Sequence, residues 1–513
     1  MVDIKNPKVQ RERLFAQEPR IMDAVHALAL LLQKLPADPA HPKLMPRALL
    51  VGGFVRDALR GDHPKDADVE VYGVTPERLE AILDQHFSEK VNKVGRAFGV
   101  FKVAIAPGIA LDVSIPRRES KSGTGHKAFI VDGDPAMSVV EAAQRRDFTI
   151  NAIAADPLTG EVLDYFHGVD DLRNNVLRAT DPERFQDDPL RVYRAVQFVA
   201  RMKLHVEPST VALMKTMVAR EEFISLSPER VTEEWKKLFL KSDAPSHGFA
   251  LARELGIIER LYPELHALID TPQEKEWHPE GDVWTHTMMV IDIAAKISVR
   301  EKFNETERLQ TLVGGLCHDL GKPLTTTLED GRIRSLAHEE AGRAPTRTML
   351  ARHTFGEEIV HAAEMIATEH LKPAMLHASR MRESGSGAMS EAAYVNAIRK
   401  LVKRIHPLSW RVLVAAAEAD ARGRGNGIPW DEPYAAGVHF RAAVEQNEFD
   451  AHPVANLVQG EDILRIAKEE GLVVEPGPVF GKLIGAVEAA RDVGTVTTKE
   501  EGLTLLRQLL KAQ

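Results

Sequence analysis

Three aspartates have a spacing at which their carboxylates could hold metal ions. Asp66 and Asp68 are two residues apart in a β-rich run, so their side chains project from the same face of a strand. Close carboxylates repel each other unless a cation lies between them, and Mg²⁺ prefers oxygen ligands. Asp112, in a second predicted strand, would complete a two-ion site that activates a 3′-hydroxyl and stabilises a leaving pyrophosphate. A charged edge strand is the alternative interpretation of the pair alone.

Two glycines precede these acids and are typical of a phosphate-binding turn. Gly52 and Gly53 let the backbone approach a phosphate closely. The segment FVRDALRG that follows begins a helix, whose N-terminus favours anions, and Arg56 is placed to contact phosphates. A tightly packed helix start would explain the two glycines equally well.

Composition indicates a helix-rich protein of several domains. The chain has 513 residues, of which 44% are hydrophobic and only 6% aromatic. Cys317 is the single cysteine, so an internal disulfide is excluded. The charged start, and the lack of an apolar run of about 20 residues, predict a cytoplasmic protein without membrane contact. The net charge of −9 argues mildly against nucleic-acid binding, but a phosphate-binding surface is local.

The pattern of strands and helices changes along the chain. An amphipathic helix is predicted over residues 20–35, and from about residue 175 onward the apolar spacing is helical almost everywhere. Between residues 48 and 165 lie four strand candidates, ALLVGG, ADVEVYGV, FGVFKVAI and IALDVSIP. The polar segment at 270–282 predicts a domain boundary, and RESGSGAMS at 382–390 predicts a mobile insertion.

The motif GGxVRDxLxG…DxD, from Gly52 to Asp68, resembles motif A of the class II tRNA nucleotidyltransferases, which are the CCA-adding enzymes and their poly(A) polymerase relatives. Further similar motifs follow in the family's order: RRDFTINAIA at 145–154, DPLTGEVLDYFHGVDDLRNNVLR at 156–178, DDPLRVYRAVQFVAR at 187–201 and LSPERVTEEWKKL at 226–238. The resemblance implies an α+β fold, with a small polymerase-β-like mixed-sheet head followed by mainly α-helical domains.

The resemblance also implies a protein template for base selection. Asp188 and Arg191 would lie three residues apart on a helix, with Arg194 one turn further along. Cytosine and adenine both present an acceptor ring nitrogen beside an amino group, so the arginine would donate to the first and the aspartate accept from the second. Guanine and uracil present the reverse order. Leaving such groups unpaired costs about 1–3 kcal/mol each. An intrahelical salt bridge is the alternative interpretation.

Other matched positions imply contacts to the rest of the nucleotide. Arg146 would contact phosphates, Asp147 would accept from the ribose 2′-hydroxyl, and Asn151 would brace their loop. The polar stretch at 117–134 corresponds to the family's flexible loop, which is thought to help the switch from C to A addition.

A second ligand set lies in the C-terminal half. His286, the vicinal pair His318-Asp319 and the distant Asp420 resemble the ligands of the HD phosphohydrolase superfamily. Imidazole and carboxylate together suit a divalent transition metal, with Ni²⁺ and Mn²⁺ as candidates, which would activate water for attack on a phosphoester. His338 and His370 are further candidates. In one subgroup of bacterial CCA-adding enzymes, such domains carry 2′,3′-cyclic phosphodiesterase, 2′-nucleotidase and phosphatase activities.

The resemblance therefore predicts a tRNA nucleotidyltransferase that builds or repairs the 3′-terminal CCA. It would use Mg²⁺, CTP, ATP and the tRNA 3′ end, and act as a monomer or homodimer. The predicted domains are an N-terminal helical extension (1–47), a nucleotidyltransferase head (48–175), a helical neck (176–270), an HD domain (271–430) and a helical RNA-binding tail (431–513).

Several alternatives stay open at this point. A poly(A) polymerase shares the head motifs, although such enzymes generally lack intact HD ligands and carry a more basic stretch at the position of residues 94–103. A CC-only or A-only adding enzyme would have the same motifs. A phosphohydrolase with a vestigial head, or a non-catalytic RNA chaperone, would leave complete ligand sets unexplained.

Overall fold

The chain forms two compact units, Met1–Tyr262 and Pro263–Gln513. The computed structural model describes residues 3–37, 42, 44–87, 91–95, 99–121, 129–382, 387–449, 456–472, 474–492, 495–496 and 498–511. The predicted flexible loop and the predicted mobile insertion therefore fall partly outside the described residues, at 122–128 and 383–386.

The first unit combines the strands with short helices. Its strands are β1 Arg47–Val51, β2 Asp66–Tyr72, β3 Val91–Gly95, β4 Val100–Ala106, β5 Ile109–Ser114, β6 Arg117–Lys121, β7 Phe129–Gly133, β8 Ala154–Ala155, β9 Val162–Leu163, β10 Val176–Leu177 and β11 His205–Val206. Its helices are α1 Pro7–Phe15, α2 Pro19–Gln33, α3 Gly53–Arg60, α4 Pro76–Phe87, α5 Val139–Gln144, α6 Gly168–Arg173, α7 Pro182–Phe185, α8 Leu190–Met202, α9 Pro208–Val218, α10 Glu221–Ile224, α11 Pro228–Leu240, α12 Ser246–Glu254 and α13 Ile257–Leu261.

A mixed sheet organises this unit. In the described residues its order is β3-β4-β5-β2-β1-β8-β9, and β2 and β5 run parallel while the other neighbours are antiparallel. Along β2, Ala67, Val69 and Val71 are buried. The acids that alternate with them therefore share the opposite face. The predicted α+β class with a mixed-sheet head is confirmed.

The four predicted strands are present as β1, β2, β4 and β5, and the helix predicted at 20–35 is α2, Pro19–Gln33. Helix α2 buries Ile21, Val25 and Leu28 on its apolar face. Strands β8 to β11 were not predicted. Each has only two residues, which is too short for an alternation of apolar and polar side chains to be visible.

The second unit is almost entirely helical. Its helices are α14 Pro263–His266, α15 Val283–Arg300, α16 Glu305–Cys317, α17 Lys322–Thr325, α18 His338–Ala341, α19 Arg343–Leu350, α20 Glu357–Glu369, α21 Lys372–Met381, α22 Glu391–Ile405, α23 Trp410–Arg422, α24 Ala435–Gln446, α25 Gly460–Glu469, α26 Pro478–Asp492 and α27 Lys499–Lys511. Strands β12 Thr326–Glu329 and β13 Arg332–Ser335 form a hairpin.

Two cores stabilise this unit. Helices α15, α16, α20 and α23 pack together around buried residues such as Ile291, Leu312 and Ile366. Helices α25 to α27 enclose a separate cluster that includes Ile463 and Leu506. None of the helices in the described part of the chain is both long and apolar enough to cross a lipid bilayer.

Candidate active sites

The polar face of the sheet carries the three aspartates of the predicted Mg²⁺ site. Asp66 and Asp68 follow each other on one face of β2, and the parallel neighbour β5 places Asp112 directly beside Asp68. Paired positions on adjacent strands are about 4.8 Å apart. Asp68 and Asp112 form such a pair, and Asp66 lies two residues along the same face of β2, so the three carboxylates offer the oxygen donors that Mg²⁺ prefers and the donor set fits this ion.

The electrostatics of Asp68 favour a cation on this face. Its side chain reaches solvent, yet the surrounding cleft wall removes part of its hydration and raises the pKa of the carboxyl. The neighbouring carboxylates of Asp112 and Glu70 raise this pKa further, and Arg146 opposes them. An added cation would relieve the repulsion among these acids.

Gly52 is the position at which only glycine fits. Its φ of 65° lies in the left-handed region, and a Cβ atom there would be 2.8 Å from Nη1 of Arg146 and 3.4 Å from Oδ2 of Asp68. Gly53 is the first residue of α3, and its Cβ would make only an ordinary contact of 3.6 Å with Arg56. The close approach of backbone, arginine and carboxylate therefore depends on Gly52 rather than on Gly53, two positions that the sequence did not distinguish.

A cleft of about 440 Å³ opens beside this turn. Asp66 and Asp112 are not part of its lining, which includes ten of the predicted residues: Gly52, Gly53, Arg56, Asp68, Arg146, Asp147, Asn151, Asp188, Arg191 and Arg194. Arg145 and Arg230 bring the number of lining arginines to six, against three aspartates. This local excess of positive charge suits a triphosphate, although the whole chain carries a charge of −9.

Arg56 and Asp147, behind the turn, are both held by hydrogen bonds within the protein. Arg56 is buried and donates to Asp57 and, at 2.5 Å, to Oδ1 of Asn151. Oδ1 of Asp147 accepts from Asn151, and its Oδ2 accepts from Nε of Arg194 at 2.6 Å. Burial alone would raise the pKa of Asp147, but Arg194, Asn151 and Arg191 together hold this pKa below its ordinary value. Asp147 thus orients Arg194, in addition to the ribose contact that the resemblance implies.

Asp188 and Arg191 are anchored separately rather than to each other. The sequence had suggested that Asp188 lies on the helix, but it precedes α8. Its Oδ1 accepts from the backbone N–H of Leu190. Its Oδ2 accepts from Arg230 at 2.7 Å. The Arg191 guanidinium donates to the backbone carbonyls of Arg184 and Arg145 at 2.8 and 2.7 Å.

These hydrogen bonds hold the Asp188 carboxylate and the Arg191 guanidinium at the cleft but do not use all of their hydrogen-bonding capacity. Two of the five guanidinium donors of Arg191 are used in those bonds. Arg230, the partner of Asp188, was not predicted as a site residue, although it lies in the motif LSPERVTEEWKKL. Glu70 escaped it as well. It continues the alternation of Asp66 and Asp68, and its Oε1 accepts from Arg146 at 3.0 Å.

The second ligand set converges inside the helical unit. His286 Nε2 lies 3.0 Å from Oδ1 of Asp420 and 3.3 Å from Nε2 of His318. Asp319 lies among them, with Oδ2 3.1 Å from His318 Nε2. The four predicted ligands are therefore brought together, and each is buried.

His338 and His370 join the same cluster. Their Nε2 atoms lie 3.4 and 4.0 Å from Oδ1 of Asp319. In the described part of the chain, both of these nitrogens and this oxygen are buried without a hydrogen-bond partner. Buried polar atoms normally have partners, so these orphaned atoms point to an absent ligand. Imidazole nitrogens with carboxylate oxygens fit a divalent transition metal.

Backbone carbonyls fix the tautomer of three of these histidines. Nδ1 of His318 lies 2.7 Å from the carbonyl of Gly315, Nδ1 of His338 lies 2.8 Å from that of Ser335, and His370 makes the same kind of contact within α20. A proton on each Nδ1 leaves the lone pair on Nε2, toward the cluster. Burial lowers the pKa of His370 to about 4, which keeps it in the neutral, ligating form.

Three polar residues around the cluster, Glu280, His278 and Lys322, were not singled out from the sequence. Oε1 of Glu280 lies 2.9 Å from Nδ1 of His286 and 2.8 Å from Nδ1 of His278. Lys322 Nζ lies 2.7 Å from Oδ2 of Asp319. Burial would raise the pKa of Asp319, but His318 and Lys322 hold it well below its ordinary value.

A signal for these residues was present in the sequence. Glu280 and His278 belong to the segment KEWHPEGD, whose polar composition suggested a domain boundary, and Lys322 follows the His-Asp pair in HDLGK. The same segment also lines the second site.

Three known families match successive parts of the chain. They are described as "Poly A polymerase head domain" over residues 48–178, "Probable RNA and SrmB- binding site of polymerase A" over 203–269 and "HD domain" over 283–402.

Similar proteins carry one name. The multifunctional CCA protein of Xylella fastidiosa strain M23 is 35% identical over 389 residues, which are 74% of this chain and 84% of that protein. The protein of the same name from Stenotrophomonas maltophilia strain K279a is 40% identical over 327 residues, 63% of this chain and 75% of that protein.

Solved structures share the fold. The Bacillus stearothermophilus CCA-adding enzyme in complex with CTP has a TM-score of 0.62 at 20% identity, over 96% of this chain and 98% of that one. The Thermotoga maritima CCA-adding enzyme complexed with tRNA has a TM-score of 0.55 at 18% identity, over 97% and 98%.

The two glycines at the cleft make a matched pair of variants. In Gly52→Ala the new Cβ displaces Arg146, so we expect CTP to bind about 10- to 100-fold more weakly in isothermal titration with Mg²⁺. In Gly53→Ala the added methyl makes an ordinary contact, and CTP affinity should stay within about twofold. Equal losses in both variants would contradict the role given to Gly52.

Glu280→Gln tests the outer support of the second cluster. The amide keeps the size of the side chain but removes the charge beside His286, so affinity for Ni²⁺ should fall about 10- to 100-fold in calorimetric titration. Glu276→Gln is the control, because Glu276 is exposed and pairs with Arg332 at 3.8 Å. Unchanged Ni²⁺ affinity in Glu280→Gln would exclude this supporting role.

Proposed function

Because the chain belongs to the family of multifunctional CCA proteins, we propose that it adds or repairs the 3′-terminal CCA of tRNA with CTP and ATP, and that its HD domain hydrolyses phosphoesters. The observation that carries the first activity is the cleft, which is lined by Asp68, the strand neighbour of Asp112, together with Asp188 and Arg191.

In the transferase, the residues of this chain bind and orient both substrates. Asp66, Asp68 and Asp112 would hold Mg²⁺, which when bound activates the 3′-hydroxyl and stabilises the pyrophosphate. The turn at Gly52 and the N-terminus of α3 face the same cleft as Arg146, and together they bind the triphosphate. A triphosphate placed there lies beside the carboxylates.

Base selection follows from the anchored pair at the start of α8. Asp188 accepts from the exocyclic amino group of cytosine or adenine, and Arg191 donates to the adjacent ring nitrogen. Arg230 and the two backbone carbonyls hold these groups in place before a nucleotide binds, which reduces the ordering cost of recognition. The protein itself is then the template.

In the phosphohydrolase, six buried residues would hold a divalent transition metal, for which Ni²⁺ and Mn²⁺ are our candidates: His286, His318, Asp319, His338, His370 and Asp420. The bound metal would lower the pKa of water for attack on phosphorus. Lys322 and Arg424 line the cavity above these ligands and offer positive charge to the phosphate oxygens. We retain the prediction that residues 431–513 bind RNA.

The test is the incorporation of labelled CTP, ATP, GTP and UTP into tRNA that ends at the discriminator base. We expect two C and one A in order, followed by a stop, whereas long A tracts on RNA without a tRNA fold would favour a poly(A) polymerase. Asp68→Asn should remove transfer and spare hydrolysis of a 2′,3′-cyclic nucleotide, and Asp319→Asn should do the reverse. Loss of both activities in either folded variant would contradict two separate sites.

Asp188→Ala should relax base selection in the same assay. Without the carboxylate, the amino group of an incoming cytosine or adenine lacks its acceptor, so the preference over uracil and guanine should fall by about 5- to 100-fold. Asp187→Ala is the matched control, because the Asp187 carboxylate is next in the chain but is exposed and lies outside the cleft lining. Unaltered selectivity in Asp188→Ala would reject the protein-template mechanism.

A further inference from the structure

The cavity above the histidine cluster changes character from floor to rim. Its volume is about 230 Å³. Asp319, His338, His370 and Asp420 contribute buried polar groups to it. Trp277, Ile333 and Leu371 line the same cavity with apolar surface. Lys322 and Arg424 add positive charge to this lining, so the cavity suits a ligand that combines an anionic group with a flat or apolar one.

Trp277 is the most exposed large side chain of this lining. About 54% of its surface is accessible, in a loop rather than in a core. Large exposed apolar groups beside a polar cavity commonly mark a binding surface. Trp277 thus needs a structural or a functional explanation.

The loop around Trp277 is fastened on both sides. The backbone N–H of Trp277 donates to the carbonyl of Glu274, whose side chain accepts from the N–H of Ile333 at 3.0 Å. Asn426 donates to the carbonyl of Glu276 at 3.2 Å. These bonds involve the backbone and the neighbours of Trp277, so its indole is presented to the cavity by a loop that is anchored without it.

The same loop is tied to the floor of the site. Gln273 accepts from Lys322 Nζ at 2.7 Å, and Lys322 Nζ also lies 2.7 Å from Asp319. Glu280, at the other end of the loop, lies beside His286 and accepts from the N–H of Gly425. The loop that carries Trp277 is therefore fixed at both ends relative to the ligands of the cluster.

We propose that Trp277 is the base-binding residue of the phosphohydrolase site, and that the site takes nucleotides whose base stacks on this indole while the phosphate lies among the cluster, Lys322 and Arg424. This assignment rests on the proposed phosphohydrolase function. Every nucleobase has a π-face, so stacking on an indole tolerates different bases.

Size supports a base at the rim rather than inside. Pockets that enclose a drug-sized ligand usually measure about 300–1,000 Å³. At about 230 Å³ the cavity is smaller, so a phosphate and its sugar fill it and the base lies at the mouth, where Trp277 is exposed. Ile333 and Leu371 add apolar surface at this position.

The experiment compares adenosine 2′-monophosphate with glycerol 2-phosphate, a secondary phosphomonoester without a base, in the full-length protein with Ni²⁺ or Mn²⁺. For Trp277→Ala we expect KM for the nucleotide to rise about tenfold at little-changed kcat, with both constants for glycerol 2-phosphate unaltered. Trp277→Phe should restore most of the nucleotide KM, and Trp277→Leu, which keeps apolar area without a π-face, should not.

Trp430→Ala is the matched control. Trp430 is similarly exposed, at 49%, in the same unit but lines a different cavity, so both substrates should keep their constants. Parallel losses on both substrates in Trp277→Ala, or full rescue by leucine, would overturn the stacking role and leave the phosphohydrolase standing. Hydrolysis of neither substrate by the wild-type protein would instead reject the phosphohydrolase itself.

Discussion

Carboxylates that are buried or close to one another are unfavourable without a cation, and both sites of this protein place cationic groups beside their acids. On the sheet, Asp68 lies beside Asp112 and near Glu70, and Arg146 bonds to Glu70 above the Gly52 turn. In the helical unit, Asp319 lies beside Lys322 and His318. On the sheet the neighbouring acids still raise the pKa of Asp68, and in the helical unit Oδ1 of Asp319 is buried without a hydrogen-bond partner, so each site has carboxylate oxygens to offer a metal ion.

A local excess of positive charge explains how a chain of net charge −9 can bind nucleotides. Six arginines line the transferase cleft, yet several of them are fixed by acids or carbonyls. Fixed arginines cost less entropy when a substrate binds, and their remaining donors point at a defined place. Arg230 likewise holds Asp188 in place, so the residue that would select the base also costs less entropy to order when a nucleotide binds.

Much of the fold and of both sites could be predicted because the signals are local. The alternation of β2 gave the shared face of Asp66 and Asp68, and the helical period gave α2. Strands β8 to β11 were not predicted because two residues are too few to show an alternation of apolar and polar side chains. Asp188 precedes α8 because Pro189 stands between it and the first helical turn. The importance of Gly52 over Gly53 depends on the position of Arg146, which is far away in the sequence.

The sequence alone predicted which residues would ligate metal and select the base, because motifs in a fixed order carry them, and similarity to known proteins confirms the family. The tertiary structure decided which of them meet. It paired Asp112 with Asp68 through a parallel strand register, and it brought His338 and His370 to Asp319 from two further helices. It also placed Glu280 beside His286 and opened Trp277 to the same cavity. Such contacts depend on how distant segments pack, and spacing along a chain does not encode distances across it.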